Sequence, residues 1–178
     1  MHGTVRAMRL LFLLLALGQP GTASAQGPSR ADCAPQAAEP ATFPLTLKGT
    51  TLDIGPTLDR KALVAQIRSA LAGEAPSILT AERLQYDYIA AEGEGPVSVL
   101  VDFDRKGRWE VIRVDSYLKQ QNPVAQELAA WLTQHVGRGR KAGKDTIWRQ
   151  GGMQFRLHEA RDAGEDSTYG ITIIRNRA

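Results

Sequence analysis

The stretch PVSVLVDFDRKGRWEVIRVDSY, residues 96–117, followed by NPVAQELAAWLTQHV, residues 122–136, reads as strand, turn, strand and helix. Val97, Val99, Val101 and Phe103 alternate with Ser98, Asp102 and Asp104, the two-residue period of a strand with one face buried. Leu100 is the one apolar residue on the other face. Asp104-Arg105-Lys106-Gly107 supplies turn chemistry, ending in a glycine suited to positive φ. Trp109, Val111, Ile112 and Val114 make the second strand, less strictly alternating and so expected to be covered on both faces. Asn122-Pro123 then starts a helix: Asn accepts from first-turn amides, and Pro lacks an N–H that would have no partner there. Val124, Leu128, Trp131 and Leu132 form its apolar stripe, with His135 beside it, and Gly137 stops it. Phe103 and Leu128 belong in the core on this reading.

Downstream lie a basic loop, Arg138 to Lys144, and a strand from Thr146 to Leu157. Ile147, Met153, Phe155 and Leu157 share a parity in that strand, with Gly151-Gly152 read as a bulge. A polar loop from Ala160 to Ser167 leads to a last strand, Tyr169 to Ile174. Upstream, Phe43, Leu45 and Leu47 begin a strand, and Leu52 to Pro56 reads as a turn. Thr57 is the expected cap of a helix whose stripe is Leu63, Ile67 and Leu71, with Val64 and Ala70 beside it and Gly73 at its end. A strand starting near Leu84 carries Tyr86 and Tyr88, and Gly93 to Pro96 is a loop. The order helix, strand, hairpin, helix, strand, strand specifies an α+β fold, a mostly antiparallel sheet with two helices packed on one side.

Residues 1–25 read as a signal peptide: Arg6 and Arg9, a short apolar run from Leu10 to Leu17, and Ala23-Ser24-Ala25 before the cleavage point after Ala25. The apolar run is well short of the ~20 residues that span a bilayer. A retained signal anchor is the competing reading. Charged residues just before Cys33 argue against lipid attachment there. Loss of the leader removes two cations and no acid, so the formal charge falls from +3 to +1 and gives no case for nucleic acid or membrane binding. A single cysteine forms no intramolecular disulfide, leaving Cys33 a free thiol or an intermolecular link. Residues 26–44, rich in Ala, Pro and Gln, read as a flexible tether, and 45–178 as one α+β domain. The expected location is periplasmic or secreted.

The segment from Gly95 to Leu157 resembles the C-terminal domain of the TonB family of periplasmic energy transducers. The matching places are Gly95-Pro96-Val97, Val101-Asp102-Phe103, Gly107, Val111 to Val114, Ala125 to Trp131, Gly143-Lys144 and Phe155-Arg156-Leu157. The resemblance implies a strand–strand–helix–strand core, here extended by an N-terminal helix and strand and a C-terminal strand. The chain departs from the pattern at Asp115-Ser116-Tyr117-Leu118, where small serines are usual, and at Gly137, where proline is usual. The family's membrane anchor and long spacer are also reduced to a leader and a short tether, which separates the fold from motor coupling.

Chemical motifs fail on geometry. His158-Glu159-Ala160-Arg161-Asp162 echoes a helical zinc motif, but the second histidine is replaced and the run ends a strand. Gly137 to Asp145 has the wrong spacing for a phosphate loop and follows a helix instead of opening one. No nucleophile elbow is present, and His135 reads as a packed, satisfied side chain. Asp102 and Asp104 share a face, yet Arg105, Lys106 and Arg108 mark a solvated hairpin end. The residues thus indicate no catalytic, cofactor or metal site, and a binding protein in place of an enzyme.

The expected partner is another envelope protein, a receptor or an enzyme, engaged by strand addition at a sheet edge. The residues assigned to that contact are Arg138, Arg140, Lys141 and Lys144 of the basic loop, and Met153 and Phe155 of a strand taken as the edge. The alternative is a periplasmic inhibitor or immunity-type protein that blocks an enzyme's cleft with the basic loop. Tyr86, Tyr88, Trp109 and Trp148 are candidate interface anchors, though such residues more often lie in the core.

Overall fold

Most of the alternating apolar positions find one shared layer. The structure, a computed structural model, describes residues 42–90, 95–159 and 169–176. The readings of the leader, of the tether up to residue 41, of Cys33 and of the loop at 160–167 fall outside these residues. The elements are β1 (Phe43–Leu47), β2 (Thr50–Ile54), α1 (Arg60–Ala70), β3 (Ile78–Leu79), β4 (Arg83–Ile89), β5 (Pro96–Phe103) and β6 (Trp109–Ser116). A 3-10 turn at Lys119–Gln121 follows, then α2 (Pro123–His135), β7 (Arg140–Ala142), β8 (Asp145–Gln150), β9 (Met153–Glu159) and β10 (Tyr169–Arg175).

Eight strands form one antiparallel sheet in the order β3-β4-β5-β6-β10-β9-β8-β7, and β1 and β2 form a separate hairpin. Pairing register lines Leu84, Val101, Ile112, Ile173, Phe155 and Trp148 into one row across six strands. All six are buried, and the β1–β2 hairpin, α1 and α2 cover this face as part of the same apolar cluster. Phe103 and Leu128 are both buried, as their stripes require. The other face carries the polar partners of each alternation and meets solvent, as antiparallel sheets allow.

Several boundaries differ from the sequence reading. Leu52 and Ile54 are strand residues paired with Leu45 and Phe43, so the expected turn is confined to residues after Ile54. The pairing follows from a tight reversal at Lys48 and Gly49, both at positive φ. The cap of α1 is Asp59, whose carboxylate accepts from the Ala62 amide at 2.8 Å, and Thr57 lies before it. Asn122 caps α2 as expected, accepting from the Ala125 amide at 2.9 Å. Arg140–Ala142 is a short strand within the expected basic loop.

The largest difference is at Gly151-Gly152. Both residues have positive φ, and Gln150 pairs with Met153, so the pair is a two-residue hairpin turn joining two strands instead of a bulge in one. The turn inverts the parity before it. Trp148 faces the core opposite Phe155, while Ile147 lies on the half-exposed face. Nothing lies within 4 Å of a Cβ built at Gly152, so strain alone governs substitution there. Gly152→Ala is expected to lower unfolding free energy by about 1–2 kcal/mol through its left-handed backbone. Urea denaturation with an unchanged slope checks this.

Candidate functional site

The end of the sheet at β7 gathers the basic residues. Arg138, Arg140, Lys141 and Lys144 are all exposed, and strand alternation divides those on β7 between two faces. Lys141 pairs with Thr146, which shares the row of Leu157, and so stands on the helix side. Arg140 pairs with Ile147 and stands on the opposite side. The chain reaches this edge over Trp148, whose indole donates to the Gly137 carbonyl at 3.0 Å. A Cβ at Gly139 would lie 2.5 Å from Thr146 and 2.6 Å from the Trp148 ring, so only glycine permits this close passage.

Between α2 and this end of the sheet runs an open groove of about 820 Å³. Ala129, Ala130 and Thr133 of α2 form one wall, and Trp148 and Leu157 lie on the sheet side. Lys119, Arg138 and Lys141 bring positive charge to it, against Glu159, which Lys119 meets at 3.3 Å. Tyr169, also at the groove, has its phenol pushed up to about 12 by burial and by the nearby Glu159 charge.

Met153 and Phe155 do not join this surface. β9 is paired on both sides, with β10 and β8, so the strand taken as an edge is interior. Both side chains are buried, and Phe155 packs edge-on against Phe43 at 5.1 Å. Alternation places both on the covered face of β9, and the strand itself is interior because β10, last in sequence, enters the sheet between β6 and β9. Tyr86, Tyr88, Trp109 and Trp148 are likewise buried. Burial, with the Glu127 charge as the lesser cause, pushes the Tyr88 phenol up to about 12.

His135 is exposed, not packed within the core; its ring stacks on Trp131 at 4.7 Å and its Nδ1 lies 2.9 Å from the Trp131 carbonyl. Asp102 pairs with Arg83 at 2.7 Å and with Arg113 at 3.6 Å. Asp104 closes the β5–β6 turn. The Arg108 amide holds its carboxyl below the ordinary value against desolvation, with help from the Arg108 side chain and the Lys106 amide. These two aspartates are ion-paired separately, and their partners suit a hairpin end.

Sequence reasoning missed the row on the solvent face. Asp87, Ser98, Asp115, Gly170, His158 and Asp145 stand side by side across six strands. His158 Nδ1 lies 2.8 Å from Asp145 Oδ1. A Cβ at Gly170 would lie 2.0 Å from Asp115 Oδ1, so the carboxylate occupies the space that glycine leaves. Burial raises the Asp115 carboxyl above its ordinary value, and the charges of Arg113 and His158 oppose the shift. Alternation alone marks each residue as outward, but their adjacency depends on strand order.

Among the described residues no group of three or more His, Cys, Asp or Glu is placed to hold a metal ion. No described helix is long and apolar enough to cross a membrane. No protein family, curated protein or solved structure matches this chain.

Proposed function

We propose that this chain is a protein-binding domain of the cell envelope, periplasmic or secreted, that takes an extended segment of another envelope protein along the β7 edge. The observation that carries the reading is the exposed terminal strand Arg140–Ala142 beside a groove rimmed by Arg138 and Lys141. A terminal strand offers main-chain hydrogen bonds to an incoming strand, and alternate side chains supply selectivity. The basic rim favours a segment bearing carboxylates. The TonB-like relationship belongs to this proposal. Its support is the succession β5, β6, α2 and later strands within residues 95–157, and the leader reading supports the envelope location.

The test places a photo-crosslinking residue at Ala142 and identifies the captured protein by mass spectrometry. Arg140→Glu with Lys141→Glu is expected to weaken capture by ~10-fold or more, about 1.4 kcal/mol, with thermal unfolding unchanged. Capture that survives this reversal rejects the β7 edge. The inhibitor reading draws on the exposure of the whole hairpin tip at Gly143-Lys144. It predicts crosslinking from position 143 into an enzyme's cleft, with loss of that enzyme's activity.

A further inference from the structure

We propose that the opposite end of the sheet, the outer side of β4 at Asp87–Ile89, is a second docking surface that takes an extended partner segment carrying a lysine or arginine side chain. β3 is two residues long and pairs with Leu84 and Gln85. Among the described residues no strand covers Asp87–Ile89 on that side. The amides of Thr80 and Ser77 donate to the carbonyls of Arg83 and Gln85, which therefore face outward. By the two-residue period of a strand, the main-chain groups of Asp87 and Ile89 face the same way. An incoming strand finds hydrogen-bond partners there.

The side chains beside this edge define what the segment carries. A cavity of about 310 Å³ is lined by Asp87, Pro96, Ser98, Asp115 and Tyr117. Register places Ser98 between the two aspartates, and its small side chain leaves room over the middle of the row. Neither carboxylate has an ion-pair partner among the described residues. Asp87 accepts from neutral donors, Ser77 Oγ at 2.6 Å and Gln85 Nε2 at 3.1 Å. The basic side chains that act on Asp115 are engaged elsewhere, the Arg113 guanidinium with Asp102 at 3.6 Å and the His158 ring with Asp145 at 2.8 Å. Two carboxylates that no cation contacts directly among the described residues favour an ammonium or guanidinium.

Apolar surface continues the site. Ile89, Tyr117 and Leu118 are 49%, 62% and 44% exposed, the largest exposures among the described bulky hydrophobics apart from Leu79. Ile89 pairs with Pro96 at the cavity wall. A cation on a long apolar stem, flanked by apolar residues, satisfies both features, and the two ends of the sheet then select segments of opposite charge.

The test titrates the purified protein with the peptide Ac-Thr-Val-Thr-Lys-Thr-Val-Thr-NH2, its arginine counterpart and its norleucine counterpart, read by backbone amide shifts. The lysine and arginine peptides are expected to bind at least ~10-fold more tightly than the norleucine peptide, with shifts centred on Asp87–Ile89. Asp87→Asn with Asp115→Asn should reduce the lysine peptide to the norleucine level, whereas Arg140→Glu should change nothing, which keeps this surface separate from β7. Equal binding of the norleucine peptide, shifts centred on β7, or no binding of any peptide would overturn the proposal. So would n-butylamine binding as tightly as the lysine peptide, because the strand edge would then contribute nothing.

Discussion

Trp109→Ala is expected to lower the unfolding free energy by about 4 kcal/mol, within the range for deleting a large buried aromatic side chain. Trp109 has no exposed surface and opens β6 opposite Phe103. Its indole donates to the Gly55 carbonyl at 3.0 Å, at the passage from β2 to α1. The same junction holds the Arg60 amide against the Gly107 carbonyl at 3.0 Å and a single bridge between Asp59 and Arg108. The side chain therefore joins the start of α1 to the hairpin, and its loss opens a cavity where three segments meet. Trp109→Phe should cost less, about 2 kcal/mol, since a ring remains while the Gly55 carbonyl loses the indole and keeps the Leu58 amide at 3.2 Å. Chemical denaturation of both variants is the measurement, and a loss below 1 kcal/mol for the alanine variant would contradict the assignment.

Asn122→Ala should cost about 3 kcal/mol, more than an ordinary helix cap. The side chain is entirely buried. Its Oδ1 accepts from Ala125, and its Nδ2 donates to the carbonyls of Val114 at 3.1 Å and Tyr169 at 3.3 Å. One amide thus ties α2 to both β6 and β10, and alanine removes a hydrogen bond from each of three backbone groups, of which the Tyr169 carbonyl keeps Ser116 Oγ at 3.3 Å. Asn122→Asp separates the two roles. The introduced carboxylate keeps the acceptor for Ala125 but faces two carbonyls in a buried place, so its folded pKa should rise above its unfolded value. That variant should be closest to wild type below the unfolded carboxyl pKa and lose stability as pH rises through the folded one. Urea midpoints measured from acid to neutral pH check the sign. Because α2 forms a wall of the β7 groove, Asn122→Ala should also weaken partner capture without touching a basic residue.

Much of the local structure was legible in residues close together. The β5–β6 hairpin follows from the alternation of Val97 to Phe103 and the Gly107 turn, and the start of α2 follows from Asn122-Pro123. Asp59 was less visible than Thr57 as a cap because both are good cap residues within three positions, and only the geometry of the first turn separates them. Gly151-Gly152 was ambiguous for a related reason: a bulge and a two-residue turn use the same residues, yet they send Trp148 to opposite faces. The two exposed strand ends illustrate the limit for function. The basic residues of one lie within a single short stretch, Arg138 to Lys144, whereas Asp87 and Asp115 of the other are separated by a complete strand.

By itself the amino-acid sequence determined which side of most ribbons is apolar, β8 excepted, where the main helix starts and that the class is α+β, because these depend on residues within a few positions of one another. Only the tertiary structure decided that β10 inserts between β6 and β9, making β9 interior and leaving β7 and the outer side of β4 as the ends. The physical reason is that an alternating strand presents the same face whichever neighbour it has. Its neighbours are chosen by contacts between residues far apart in the chain, such as Ile171 with both Val114 and Leu157.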